Sequence, residues 1–135
     1  MPTPATKRAL AQPEPVQKVL LTKPYDIEGR KRVFVIPAIV HLDDENPTKT
    51  IEWVNQTGGP VTIWFPNGGH FLKPHEDPGT HKVHKFITPF DVSTKGELVL
   101  DVKENLAKGY YEYNVYCEVI NDYAQGNSSP GVSYP

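Results

Sequence analysis

Alternate positions differ in character along Gly109-Tyr110-Tyr111-Glu112-Tyr113-Asn114-Val115-Tyr116-Cys117, and this stretch organises the reading of the chain. A strand sends successive side chains to opposite faces, so Tyr111, Tyr113, Val115 and Cys117 are predicted to line an interior. Tyr110, Glu112, Asn114 and Tyr116 then meet water or a partner. The same period of two runs through Glu97 to Lys103, with Leu98, Leu100 and Val102 inward, and through Thr50 to Asn55, where Ile51 and Trp53 stand against Glu52 and Asn55. Val61 to Phe65 reads as the hairpin partner of that last strand. Val16 to Leu21 predicts a first strand, Val83 to Thr88 another, and the neighbourhood of Val132 and Tyr134 the last. Arg32 to Leu42 is β-branched but interrupted by Pro37, which cannot donate to a ladder, so this strand is expected at an edge or bent there.

Between these runs lie turn signals. Thr22 to Arg30 reads as a turn region, Asp43 to Pro47 as an acidic turn, and Pro66-Asn67-Gly68-Gly69 as a tight one, because Asn-Gly accepts positive φ cheaply. Residues 67–82 form the longest stretch without strand pattern. Helix signals are poor, with at most one turn expected between Asp101 and Lys108. Short strands separated by turns about every eight to twelve residues predict an all-β, antiparallel Greek-key β-sandwich.

Composition sharpens this picture. Fourteen prolines and ten glycines in 135 residues exclude a helical bundle and leave room for one domain with a real core. Four of the prolines fall in residues 1–15, which read as a flexible tail before a single domain over 16–135. One cysteine excludes an internal disulfide framework. The net charge of −2 hides an asymmetry: residues 1–32 carry seven Lys/Arg against three Asp/Glu, the remainder seven against thirteen. A mildly acidic body does not make a nucleic-acid footprint. No apolar run reaches membrane-spanning length. Ala9-Leu10-Ala11 has the small-residue form of a cleavage motif, but no apolar segment precedes it.

The segment Ile51-Glu52-Trp53-Val54-Asn55 followed by Pro60-Val61-Thr62-Ile63-Trp64-Phe65, together with Gly109, Tyr111 and Tyr113 in a Gly-x-Tyr-x-Tyr run, resembles the cupredoxin-like β-sandwich family over roughly residues 33–135. The resemblance implies the sandwich fold and a periplasmic or secreted setting. It also implies where copper ligands would fall: a histidine near Pro60 or Val61, and a cysteine at Val115. Neither is present, and neither histidine nor methionine follows Cys117. A blue-copper centre needs two histidines and a thiolate in trigonal array. What the resemblance implies is therefore a cupredoxin-like domain without the family's copper site. The ending Ala124-Gln125-Gly126-Asn127-Ser128-Ser129-Pro130 reads instead as a loop fitted to hydrogen bonding.

Three groups of residues carry candidate chemistry. His70, His75, His81 and His84 lie within fifteen residues beside Glu76 and Asp77, a donor set suited to copper or zinc, with Cys117 as a further donor. A strand would put His81 and His84 on opposite faces. Cys117, of inward parity, reads first as a buried thiol. Trp64, Tyr110, Tyr116 and Tyr123 are the candidate binding surface, since exposed Trp and Tyr bury much area at low entropy cost. No paired acids, nucleophile elbow or phosphate loop is evident. The expectation is a non-enzymatic binding or assembly module with no cofactor. Its partner would be a protein or small molecule, not nucleic acid, and edge strands could pair it with itself. The alternative is a copper- or zinc-binding protein using the His-rich 70–84 loop.

Overall fold

The structure, a computed structural model, describes residues 16–43, 50–76, 83–84, 89–125 and 128–134. Its elements are β1 (Val16–Leu21), β2 (Tyr25–Ile27), β3 (Arg30–Arg32), β4 (Val35–Ile36), β5 (Ile39–His41), β6 (Thr50–Asn55), β7 (Val61–Trp64), a helical turn α1 (Gly68–Phe71), β8 (His75–Glu76), β9 (Val83–His84), β10 (Phe90–Val92), β11 (Glu97–Asp101), β12 (Gly109–Glu112), β13 (Asn114–Cys117), β14 (Asp122–Tyr123) and β15 (Gly131–Tyr134). One layer has the order β11-β6-β1-β4. The other is built from β10-β7-β13-β14 and β12-β15-β5. β12 and β13 are halves of one run that changes neighbours at Tyr113, whose N–H donates to the Pro130 carbonyl at 3.0 Å.

Successive strands cross between layers: β6 to β7, then β10 beside β7, then β11 back beside β6. This is an all-β Greek-key sandwich. Two of its ladders, β1–β6 and β15–β5, are parallel, so the sheets are mixed rather than wholly antiparallel. Both follow from long crossovers, which parallel neighbours require.

The alternations read from the sequence are the buried ones. Ile51 and Trp53 on β6, Leu98 and Leu100 on β11, and Tyr111, Tyr113, Val115 and Cys117 on β12–β13 all face the core. Trp53 sits at its centre, edge-on to Phe65 (5.2 Å, 65°) and to Tyr113 (5.6 Å, 83°). Such edge contacts add to the large area these rings bury. Pro37 does bend the predicted 32–42 strand: β4 lies at the edge of one layer, β5 at the edge of the other, with a cis Ile36–Pro37 bond between them.

Asn55, set with Glu52 against the core residues in the sequence reading, is instead buried, because it shares the parity of Ile51 and Trp53, and it ends β6 as a corner post. Its amide donates to the carbonyls of Gly59 (2.8 Å) and Ser93 (3.0 Å), and its carbonyl oxygen accepts from the Thr57 hydroxyl (2.7 Å) and N–H (3.0 Å). Gly58 turns the same corner at φ +91°.

Two local expectations are corrected. Thr22 to Arg30 is not merely a turn region, because β2 and β3 pair as a hairpin about Glu28 and Gly29, both at positive φ. The helical turn falls at Gly68–Phe71 and not between Asp101 and Lys108. Residues 101–103 are instead held extended against 71–73: Lys73 N–H donates to Asp101 (2.8 Å), Lys103 N–H to Phe71 (2.9 Å), and Leu72 bridges Val102. The 1–15 tail, most of the acidic turn and residues 85–88 of the predicted 83–88 strand lie outside the described residues. Among the described residues no helix is long and apolar enough to cross a membrane.

Candidate functional site

Of the positions where the resemblance places copper ligands, Pro60 is exposed and offers no donor, and the others are occupied by core. Val61 and Val115 are fully buried on β7 and β13, where Val61 stands opposite Cys117 and Ile63 opposite Val115. Aliphatic side chains offer no donor, so these residues do not fit the family's copper ion. Cys117 itself is buried, and burial above all, with the Asp122 carboxylate adding to it, pushes its thiol up to about 12. A thiol so protonated is a packing group.

The histidines are dispersed in different ways. His70 is exposed in α1. His75 and His84 are direct cross-strand partners in the β8–β9 ladder. His81 lies outside the described residues. Among the described residues no group of three or more His, Cys, Asp or Glu is gathered to hold a metal.

The aromatic candidates converge. On β7, Thr62 and Trp64 point away from the core, as do Asn114 and Tyr116 on β13 and Asp91 on β10. Register aligns Asp91, Thr62, Tyr116 and Tyr123 in one row across four strands, and Trp64 with Asn114 in another. Thr62 donates to Asp91 at 3.1 Å. Tyr116 donates to the Asn121 side chain, and its ring meets Tyr123 edge-on at 5.3 Å and 78°. Trp64 and Tyr123 remain 44% and 52% exposed, and both line a depression of about 210 Å³ that also touches Asn114, Ser129 and Pro130. Tyr110, on β12, donates to the Ser129 carbonyl at 3.4 Å, and a Cβ on Gly131 would come within 2.5 Å of its ring. Burial, then the neighbouring Glu112, raises the Tyr110 phenol.

A second, larger groove of about 470 Å³ lies on the other side of Tyr123, between β14 and the β2–β3 hairpin. Arg30 and Arg32 line it from one face of β3, with Ile27 and Phe34, and opposite them stand Asp122 and Gln125. This groove was not legible in the sequence, where Arg30 and Arg32 sit some ninety residues before Tyr123. What ties the two regions together is the 124–125 turn. Gln125 donates its N–H to Val33 (2.9 Å) and accepts from the Val35 N–H (2.8 Å), while Ala124 N–H donates to Val115 (2.8 Å). The hydrogen-bonding work expected of the Ala124–Pro130 loop is therefore the joining of one layer to the other.

No known family profile matches the chain, and no curated protein does. Solved structures similar to it include McoA multicopper oxidase from the hyperthermophile Aquifex aeolicus (16% identity, TM-score 0.42) and a laccase from Pediococcus acidilactici (13%, 0.38). Each similarity covers 92% of this chain but only 29% and 27% of the other. The chain thus spans less than a third of the length of these two enzymes.

Proposed function

We propose that the chain is a non-enzymatic binding module that recognises its ligand on the outer face of β7, β13 and β14. The observation that carries this reading is the depression lined by the half-exposed rings of Trp64 and Tyr123, with Asn114 and Ser129 beside them. Flat rings with an amide and a hydroxyl at hand suit a ligand that offers an apolar ring face and hydroxyl groups round its rim. Past Tyr123, two guanidinium groups face one carboxylate, Arg30 and Arg32 against Asp122. That excess of positive charge favours an acidic group on the same ligand, since guanidinium matches carboxylate geometry in a two-pronged fashion. An acidic oligosaccharide of the uronate type meets both demands. Among the described residues, neither depression is lined by a carboxylate pair or a nucleophile with its base, which supports binding rather than turnover. A periplasmic or secreted setting, implied by the family resemblance, accords with such a ligand.

Fluorescence tests this. Trp53 is fully buried and Trp64 is not, so a ligand-dependent change in the tag-free protein reports the proposed face. Titration with an oligogalacturonate should give a saturable change that Tyr123→Ala abolishes. Arg32→Ala should weaken it about tenfold, the ~1.4 kcal/mol of one charge-assisted contact. A neutral glucan oligosaccharide of equal length should bind more weakly and ignore Arg32→Ala. Saturable binding of a proline-rich peptide in place of sugar, or no saturable response to either sugar, overturns the assignment.

A further inference from the structure

The larger groove beside Tyr123 holds three donor side chains whose hydrogen-bonding capacity the fold leaves open. Two are arginines. Arg30 and Arg32 share one face of the β2–β3 hairpin with Ile27 and Tyr25, whereas Lys31 faces the other way and pairs with Asp26 at 3.0 Å. Among the described residues neither guanidinium has an ion-pair partner. Asp122, which also lines the groove, accepts from the Tyr123 N–H at 2.7 Å. The third donor is Gln125. We propose that Gln125 determines specificity in this groove: its carboxamide Nε2 joins Arg30 and Arg32 in donating to the ligand's carboxylate, and so selects a free uronate over its neutral ester. This inference rests on the oligosaccharide reading above and adds a residue and a selection to it.

The fold uses one end of that carboxamide and leaves the other. Gln125 Oε1 accepts from the Val35 N–H at 2.8 Å. A backbone N–H only donates, so the end that meets it is the oxygen, and this settles which way the amide lies. In a planar carboxamide the NH2 group then points away from Val35. Nε2 has no hydrogen-bond partner among the described residues, and Gln125, half-buried, lines the groove with Arg30, Arg32 and Asp122. The main chain is held as well, because the Gln125 N–H donates to the Val33 carbonyl at 2.9 Å. A donor anchored at both points meets a ligand with little rotamer freedom left to lose.

An NH2 group donates and never accepts. It therefore gains most from a carboxylate and less from an ester, whose neutral carbonyl makes the weaker bond. Being uncharged, it adds a donor without the desolvation cost of a third cation. Glutamate at this position would keep the Val35 contact, since a carboxylate oxygen accepts as the amide oxygen does, and would turn the free end from donor to acceptor. One substitution thus separates the tie between layers from the recognition of the ligand.

The test measures calorimetric affinities of the tag-free full chain for an oligogalacturonate and for its methyl ester of equal length. The wild type should prefer the free acid at least tenfold. Gln125→Glu should lower free-acid affinity at least tenfold, leave ester affinity within threefold and keep the urea midpoint. Gln125→Met, which removes the donor without adding a charge that could neutralise the arginines, should lower free-acid affinity about tenfold. Free-acid binding that Arg32→Ala weakens and Gln125→Glu does not overturns this proposal alone. Absence of saturable binding by the wild type overturns the oligosaccharide reading and this proposal together. Should the variants misfold, the ¹⁵N-labelled wild type decides by NMR. The Gln125 side-chain NH2 signals should shift as oligogalacturonate binding saturates, and signals that stay in place overturn the proposal equally.

Discussion

Cys117 stands directly opposite Val61 in the β7–β13 ladder, and both side chains are fully buried. A thiol whose neighbour across the ladder is an aliphatic residue has a packing role, and its raised pKa follows from the same burial. The native protein should therefore not react with a disulfide reagent at pH 8, and should release one thiol per chain on unfolding. Rapid reaction of the folded chain, followed by absorbance, would contradict the burial.

The same burial sets a pH dependence. A thiol is neutral when protonated, and Cys117 moves from 9.0 up to about 12 on folding. Above pH 9 the unfolded chain loses this proton first and is favoured. Stability should thus be complete below pH 9 and decline as pH climbs toward 12, by at most ~1.4 kcal/mol per unit for this group. Tyr113, raised by burial in the same direction, extends the decline upward from pH 10. Urea midpoints at pH 8, 9 and 10 check this, and Cys117→Ala should flatten the step between 9 and 10.

Trp53 and Tyr113 meet edge-on in the core, and among the described residues neither the indole N–H nor the phenol O–H has a hydrogen-bond partner of good geometry. The indole is near enough to favour the phenolate slightly, a small effect beside burial. Removing an unpartnered buried hydroxyl relieves its desolvation cost, so Tyr113→Phe should be neutral or stabilising by up to ~1 kcal/mol. Trp53→Ala, which opens a cavity at the core's centre, should cost about 3–5 kcal/mol. Denaturant unfolding separates the two outcomes.

The corner held by Asn55 makes the opposite prediction for a polar group. Its side chain serves two carbonyls and two Thr57 donors while buried. Asn55→Ala removes all four contacts and strands the Thr57 N–H, while the Thr57 hydroxyl and Gly59 carbonyl keep each other (2.9 Å) and the Ser93 carbonyl keeps the Gly96 N–H (2.8 Å). It should destabilise by about 1–3 kcal/mol, read as a lower urea midpoint at unchanged m-value.

These residues show why some of the molecule was legible in the sequence. Trp53 and Asn55 belong to the stretch that resembles cupredoxin-like sandwiches, and here both are scaffold: one fills the core, the other ties its corner. The resemblance therefore pointed to a two-layered β-sandwich, which the strand pairing forms, while the ligand positions, now Val61 and Val115, carried the departure. Parity along Gly109–Cys117 separated inward from outward side chains because a strand imposes it locally. Trp64, Tyr116 and Tyr123 were singled out by type, but their gathering onto one face depends on β7–β13 and β13–β14 pairing. The Arg30–Arg32 groove depends on contacts between distant segments, such as the Val35–Gln125 bond spanning ninety positions. The β2–β3 hairpin escaped because its turn uses Glu28 at positive φ, where Asn or Asp is the usual signal.

Mapping of amide shifts on the ¹⁵N-labelled protein during addition of an oligogalacturonate tests recognition on the outer face most directly. The predicted result is a set of saturating shifts centred on Trp64, Asn114, Tyr116 and Tyr123 and reaching Arg30 and Arg32, with the β11-β6-β1 layer unmoved. Shifts centred on that other layer, or none that saturate, would contradict it.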